Sequence, residues 1–158
     1  MKIGVLSDTH GEVGVVQRAV HILQDLRIEL AIHCGDVGED IAALLKGIPS
    51  HFVHGNMDDL GRLRQEIVAP EHTLHEPIGS LAIAGRQVAF LHGDDVRLLR
   101  QTITSGHWDM VCHGHTHAFS KGYEGRTLVL NPGALARTAR PSLAIVDLPA
   151  MEVVEIAV

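Results

Sequence analysis

Five short apolar segments recur along the chain, and each ends in a polar turn that contains glycine. The segments are residues 3–6, 30–32, 51–53, 88–91 and 110–112, and the turns after them read SDTHG, HCGD, HGNMD, HGDD and HGHTH. Apolar runs of this length, rich in β-branched residues, are typical of buried strands. We therefore predict five buried strands, each with a polar loop at its carboxyl end.

Apolar residues with helical spacing lie between some of these strands. The three predicted helices contain, in turn, Val13, Val16, Val20, Leu23 and Leu26; Ile41, Leu44 and Leu45, ending at Gly47; and Val96, Leu99 and Ile103. Alternation of strand and helix predicts parallel strands joined by right-handed crossovers.

The second half of the chain contains strand-like pieces that follow one another directly. Residues 74–91 read as antiparallel pairs with short turns at Gly79 and Gly85, and residues 123–158 read as consecutive strands. The second group is broken at Gly125, at 132–133 and at Pro149. We predict an α/β layered sandwich with a mixed second half. A length of 158 residues without repeats or a linker fits one domain over residues 1–158.

Composition narrows the classes of protein that fit this fold. Hydrophobic residues make up 46% of the chain and charged residues 20%, which is typical of a globular protein. A net charge of −6, no basic run, and three Phe, one Tyr and one Trp argue against nucleic-acid binding. Neither a signal peptide nor an apolar run of bilayer length is visible, so the sequence predicts a cytoplasmic protein without membrane association. Cys34 and Cys112 have no CxxC spacing and are expected to be buried free thiols.

The five polar turns supply a set of side chains that suits metal ions. Ligands in open α/β sheets bind at the carboxyl ends of the strands, so we expect the turns to converge. They supply Asp8, His10, Asp36, Asn56, His92, His115 and His117. Oxygen and imidazole donors without a thiolate favour Mn, Fe, Zn or Ni over calcium. Seven donors exceed one tetrahedral ion but fit two ions that share a bridging carboxylate.

These motifs resemble those of the calcineurin-like metallophosphoesterases, and most closely the compact bacterial and archaeal phosphodiesterase subgroup. The matching motifs are DTH at 8–10, GD at 35–36, GNMD at 55–58, HG at 92–93, GHTH at 114–117 and NPG at 131–133. They occur in the family's order and spacing, and they cover nearly the whole chain.

The resemblance implies a four-layer α-β-β-α sandwich in which two mixed β-sheets are flanked by helices. It implies two divalent ions per chain, with manganese favoured and nickel, iron or zinc as alternatives. One ion would be held by Asp8, His10, Asp36 and His117, and the other by Asp36, Asn56, His92 and His115. The implied activity is a phosphodiesterase that hydrolyses a small phosphate ester by attack of a hydroxide that bridges the two ions.

One position departs from the family pattern. Many members carry a histidine after the GN of the third motif, and that histidine protonates the leaving oxygen. This chain has Met57, whose thioether has no proton to donate. Asp58 and Asp94 are candidate replacements. Asp94 is alternatively expected to orient a ligand histidine, or to cap the helix that begins near Val96.

Other polar residues near the motifs are expected to support the site rather than to bind metal. His33, His54 and His113 lie within two residues before a motif glycine, and we predict packing or hydrogen bonding to ligands for them. Five further histidines are predicted to lie on the surface or in loops: His21, His51, His72, His75 and His107. Arg137 and Arg140 follow NPG, where binding of substrate phosphate and simple solvation are both open.

Two other functions fit the same fold. The first is a catalytically weak or silent binding or scaffold module, as found in membrane-trafficking complexes; the complete ligand set argues for an enzyme, and Met57 argues mildly the other way. The second is a nuclease, against which small size, acidic charge and the lack of a capping domain argue. The sequence leaves a homo-oligomer open.

Overall fold

A computed structural model describes residues 1–158 as eleven strands and four helices. In chain order they are β1 (Lys2–Leu6), α1 (Val13–Asp25), β2 (Leu30–His33), α2 (Ile41–Leu44), β3 (Ser50–Val53), α3 (Leu60–Glu66), β4 (His72–His75), β5 (Gly79–Ile83), β6 (Arg86–Phe90), α4 (Val96–Thr104), β7 (Met110–Cys112), β8 (Phe119–Glu124), β9 (Thr127–Pro132), β10 (Ser142–Asp147) and β11 (Glu152–Ala157).

The strands form two mixed sheets. The first has six strands in the order β11-β10-β1-β2-β3-β4, in which β1 to β4 are parallel and β10 and β11 are antiparallel. The second has five strands in the order β5-β6-β7-β9-β8, with a parallel centre and antiparallel edges. In both sheets the parallel strands carry the site loops at their carboxyl ends.

Three hydrophobic cores separate four layers and confirm the predicted sandwich. One core joins the first sheet to α1, α2 and α3, a second lies between the sheets, and a third joins the second sheet to α4. Strand β6 shows how the sequence builds two cores at once, since successive side chains point to opposite faces. Val88 and Phe90 face the first sheet, whereas Ala89 faces the core that contains Ile103 of α4. Burial on both faces explains the uninterrupted apolar runs.

The predicted elements of the first half are confirmed, with one helix missed. All five buried strands and the three helices are present. The missed helix, α3, buries only the side chain of Leu63, so it has no apolar stripe to detect. Its capping signal is nevertheless present, because Asp59 accepts a hydrogen bond from the N–H of Arg62 at 3.0 Å.

The prediction for residues 74–91 is correct at one turn and wrong at the other. Strands β5 and β6 pair as an antiparallel hairpin through Ala84 and Gly85. Gly79 makes no turn between partners, because β4 pairs with β3 in the first sheet. Leu74 packs on the core shared with the helices, which keeps β4 in the first sheet.

Three histidines predicted at the surface or in loops lie instead in strands. His72 is buried with its ring edge-on to Phe52, and Nδ1 of His51 is 2.9 Å from Nε2 of His75. Burial lowers the pKa of both His51 and His75, so these rings pack as neutral aromatic groups. His21 and His107 are exposed, as predicted.

The cysteines and the helices agree with the sequence and its composition. Cys34 and Cys112 are buried free thiols, and burial raises the pKa of Cys112 to about 12. None of the four helices combines the length and the apolarity that a bilayer span requires.

Candidate metal centre

The loops after β1, β2, β6 and β7 bring acidic and imidazole side chains together. Two groups have ligand atoms that all lie within 4.8 Å of one another: Asp8 with His10 and His117, and Asp8 with Asp36 and His92. The convergence expected from strand direction is therefore present.

Asp8 is common to the two groups, and Asp36, a member of the second, also faces a histidine of the first. Oδ2 of Asp36 is 3.7 Å from Nε2 of His10, and its Oδ1 is 3.5 Å from Nε2 of His92. Oδ1 of Asp8 lies 3.2 Å from Nε2 of His117. Each oxygen of Asp36 thus faces a different imidazole.

The two remaining predicted ligands lie at the exposed edge of the centre. Oδ1 of Asn56 is 3.1 Å from Nε2 of His92. The ring of His115 lies 5.1 Å from the ring of His92, and its backbone N–H donates to Oδ2 of Asp8 at 3.1 Å. Asn56 and His115 therefore adjoin the five grouped side chains through His92.

The donor set fits a cation. Oδ1 of Asp8 and Nε2 of His10 are buried and have no hydrogen-bond partner, and their side chains are 0% and 5% exposed. A buried polar atom without a partner costs free energy, so an unpartnered pair at one point requires an explanation. Carboxylate oxygens and imidazole nitrogens that converge in this way form the kind of site that divalent ions occupy.

The backbone at the centre adopts an unusual conformation. Five of the seven predicted ligands have positive φ: Asp8 (56°), His10 (45°), Asp36 (52°), His115 (68°) and His117 (58°). This conformation costs on the order of 1 kcal/mol at a residue with a side chain and persists where surrounding contacts enforce it. Such contacts join the loops: the N–H of Asp8 donates to the carbonyl of Gly35 at 3.0 Å, and the N–H of Gly114 donates to that of His92 at 2.9 Å.

Two motif glycines are required because the loops approach each other closely. A Cβ on Gly55 would overlap the Asp36 carboxylate. A Cβ on Gly114 would overlap Oγ of Ser7 and lie 2.7 Å from Oδ2 of Asp8. A side chain at either position would displace a predicted ligand.

Hydrogen bonds orient the rings of His92 and His33. Nδ1 of His92 donates to the carbonyl of Cys34 at 2.9 Å, which leaves Nε2 facing the centre. Burial alone would lower the pKa of His92, but the Asp36 carboxylate and the Cys34 carbonyl outweigh it and raise this pKa. Burial lowers the pKa of His33 to about 3, so the ring is neutral and bonds to Thr9 (2.9 Å) and to the N–H of Gly35 (3.2 Å).

The Asp58 side chain connects two of the loops. Its carboxylate accepts backbone N–H groups from Val37 (3.1 Å), Gly38 (2.9 Å) and Gly55 (2.8 Å). The first two follow Asp36 and the third precedes Asn56. With both oxygens occupied, Asp58 is placed to fix the spacing of these two side chains rather than to donate a proton.

Asp94 and the remaining candidate histidines lie at the periphery. The cap of α4 is Asp95, which accepts the N–H of Leu98 at 2.9 Å, so the predicted cap at Asp94 was wrong by one residue. Asp94 is exposed beside His92 in a small cleft, which His54 also lines. His113 is half-buried, and its Nδ1 donates to the carbonyl of Gly114 at 3.1 Å.

Asn131 organises the fifth loop, a role that sequence reasoning missed. Its fully buried side chain donates to the carbonyl of Gly114 and to Oγ1 of Thr116, both at 2.9 Å, and accepts the N–H of Gly133. The signal was available in the NPG motif, because a buried asparagine must find partners for its amide.

The two arginines after NPG differ in their surroundings. Arg137 follows Ala136, whose N–H donates to the carbonyl of Asp8 at 2.9 Å. The pKa of His10 is lowered chiefly by burial, and Arg137 is among the charged groups that act on it. Both arginines are exposed, and the backbone N–H of Arg140 donates to Oγ1 of Thr138 at 3.2 Å. Only Arg137 is thus tied to the centre.

We expect Asp58→Asn to weaken metal binding and lower kcat by about 10- to 100-fold. The amide retains one oxygen and turns an NH2 group towards a backbone N–H, which separates the two loops. Asp59→Asn is the matched control, because asparagine caps a helix as well as aspartate does. Metal affinity measured by calorimetry for both variants provides the test. Equal affinity in the two would show that Asp58 does not position the loops.

Comparison with known proteins gives a consistent result. The sequence profile of the calcineurin-like phosphoesterase superfamily domain matches residues 1–151. Phosphodiesterase MJ0936 of Methanocaldococcus jannaschii is 30% identical, over 99% of this chain and 98% of that protein. The structure of a novel archaeal phosphodiesterase superposes with a TM-score of 0.90 at 28% identity, covering 100% of both chains. Wild-type Vps29 from Entamoeba histolytica, complexed with zinc, shares the fold alone, with a TM-score of 0.67 at 18% identity over 100% of this chain and 98% of that chain.

Proposed function

Because this chain belongs to the calcineurin-like phosphoesterase superfamily, we propose that it is a phosphodiesterase that hydrolyses a small phosphate ester with two divalent ions. The observation that carries the proposal is the unpartnered pair at the centre, Oδ1 of Asp8 and Nε2 of His10, surrounded by further oxygen and imidazole donors. A cation bound at that point would give both atoms a partner.

The position of Asp36 supports its assignment as the ligand shared by both ions, since each of its oxygens faces a different histidine. The proposed first ion is held by Asp8, His10, Asp36 and His117, and the second by Asp36, Asn56, His92 and His115. Oxygen and nitrogen donors without sulfur suit manganese, with nickel, iron or zinc as alternatives.

The charges of the ligands favour an anionic substrate. When bound, divalent ions polarise phosphoryl oxygens and lower the pKa of a coordinated water towards ~7, which supplies a nucleophile at neutral pH. Asp8 and Asp36 are the only carboxylates in the proposed ligand set. An aspartate in place of Asn56 would add a third negative charge and cancel more of the positive charge of the two ions. The loops fix these side chains before substrate arrives, so little reorganisation is needed during the reaction.

We expect Arg137→Ala to raise the KM for a phosphodiester by about tenfold or more. The backbone of its loop is bonded to Asp8, and the proposed role of its guanidinium is to bind a phosphate oxygen, a charge-assisted contact of this scale. Arg140→Ala is the control and should keep its KM. Steady-state kinetics decides the point, and an unchanged KM for Arg137→Ala would assign this residue to the solvated surface.

Met57 bears on the choice of leaving group. Its side chain is 59% exposed beside the centre and has no proton to give. Esters with acidic leaving alcohols, which depart without protonation, should therefore react faster than alkyl esters. No side chain of the centre is assigned as the acid.

The proposed function is tested by hydrolysis of bis(p-nitrophenyl) phosphate beside p-nitrophenyl phosphate. The protein is stripped of metal and then supplied with Mn²⁺, Ni²⁺ or Zn²⁺ in turn. We expect turnover to depend on added metal and to be faster for the diester. Silence with every metal, in a protein that still binds the ions, would favour a scaffold module instead.

A further inference from the structure

An acidic cleft opens beside the metal centre on the side of His10. Its volume is about 430 Å³, and its polar lining includes Glu39, Asp58, Asp59, Arg62 and Glu66. A cleft of this size accommodates a small organic group. The lining comes from the loops after β1, β2 and β3 and from α3. The same three loops carry His10, Asp36 and Asn56.

The single guanidinium in the cleft is already neutralised. Arg62 pairs with Glu39, and its Nε lies 3.4 Å from Oε1 of Glu66. Asp58 is bonded to three backbone N–H groups and Asp59 caps α3. Four carboxylates against one guanidinium leave a net formal charge of −3 on the lining.

A separate observation connects the cleft to a ligand. The His10 side chain lines the cleft and is 5% exposed; its Nε2 has no hydrogen-bond partner and lies 3.7 Å from Oδ2 of Asp36. The cleft and the proposed metal centre therefore share this side chain. Met57, 59% exposed, and the buried Leu63 add an apolar wall on the same side.

We infer that this cleft holds one ester group of the substrate and selects a group that carries positive charge. The inference rests on the proposed phosphodiesterase function and names its substrate class: phosphodiesters of amino alcohols, including quaternary ammonium alcohols. In this arrangement the phosphate of the substrate lies at the metal centre, and the ammonium group of its alcohol lies against the carboxylates of the cleft. A second phosphate or a carboxylate in the same ester group is disfavoured by like charge. The apolar wall contacts the methylene or methyl groups beside the charged nitrogen.

Two substrates of the same shape separate the effect of charge on kcat/KM from the effect of size. p-Nitrophenyl phosphorylcholine carries a trimethylammonium group, and p-nitrophenyl 3,3-dimethylbutyl phosphate carries a neutral tert-butyl group in its place. We expect kcat/KM to be about five- to tenfold higher for the cationic ester, the scale of one partly solvated charge contact. The ratio should fall towards one as salt is raised, because the cleft is open to solvent.

Variants assign the preference to particular carboxylates. The double variant Glu39→Gln/Glu66→Gln removes two negative charges and frees Arg62, so the cation preference should disappear or reverse. Glu155→Gln is the matched control, because Glu155 is exposed on β11, outside the cleft. This control should keep the ratio of the parent protein.

The outcomes distinguish this inference from the function on which it rests. Equal kcat/KM for the two esters, with bis(p-nitrophenyl) phosphate still hydrolysed, would overturn the cation selectivity and leave the phosphodiesterase intact. An unchanged ratio in the Glu39→Gln/Glu66→Gln variant would show that these carboxylates do not recognise the ester group. No hydrolysis of any of the three esters would overturn the proposed function and this inference with it.

Discussion

We expect Asp36→Asn to lower kcat/KM for a phosphodiester by about a thousandfold or more. The two oxygens of Asp36 face His10 and His92, so this one side chain touches both halves of the centre. Loss of a residue that merely orients a metal ligand costs about 10–100-fold, so loss of a shared ligand should exceed that range.

The fold should survive this substitution. Asparagine keeps the shape of the side chain and an oxygen that accepts the N–H of Met57, now bonded at 2.9 Å. Asp40→Asn is the matched control, because Asp40 is exposed on the same loop and also has positive φ. Melting temperatures with and without Mn²⁺ separate the effects, since a ligand that binds only the folded state raises stability. Equal metal-induced stabilisation in Asp36→Asn and the parent would refute the shared role of Asp36.

His117→Ala should lower activity by about a hundredfold or more and remove one ion of the proposed pair. Nε2 of His117 lies 3.2 Å from Oδ1 of Asp8, and His117 belongs only to the first group of ligands. The proposed second ion, held by Asp36, Asn56, His92 and His115, therefore keeps its ligands. His107→Ala changes an exposed histidine on a distant loop and serves as the control. Metal content and circular dichroism should show a folded protein with a single ion. Full activity in His117→Ala would exclude it as a ligand.

The strands that carry the site were predictable because of where they are buried. Strands covered on both faces must be apolar throughout, so β1, β2, β3, β6 and β7 stand out against the polar loops that follow them. Because those strands are parallel within each sheet, the rule that ligands bind at carboxyl ends brought the seven side chains to one place.

Features that depend on contacts between distant segments could not be predicted from the sequence. The membership of β4 in the first sheet depends on the packing of Leu74 against helices from other parts of the chain. The bonds of Asp58 go to backbone N–H groups, which every residue except proline has, so no residue type reveals them. The pairing of Arg62 with Glu39 joins residues 23 positions apart. The cap of α4 was misplaced because Asp94 and Asp95 are chemically identical neighbours, and only backbone geometry chooses between them.

The number of metal ions bound per chain distinguishes a dinuclear centre from a centre with a single ion. Protein stripped of metal is titrated with Mn²⁺, and bound metal and phosphodiesterase activity are followed on the same samples. We expect two ions per chain at saturation and full activity only when the second is bound, with both sites lost in Asp36→Asn. Full activity with one ion per chain, or an unchanged titration in Asp36→Asn, would rule out two ions that share Asp36.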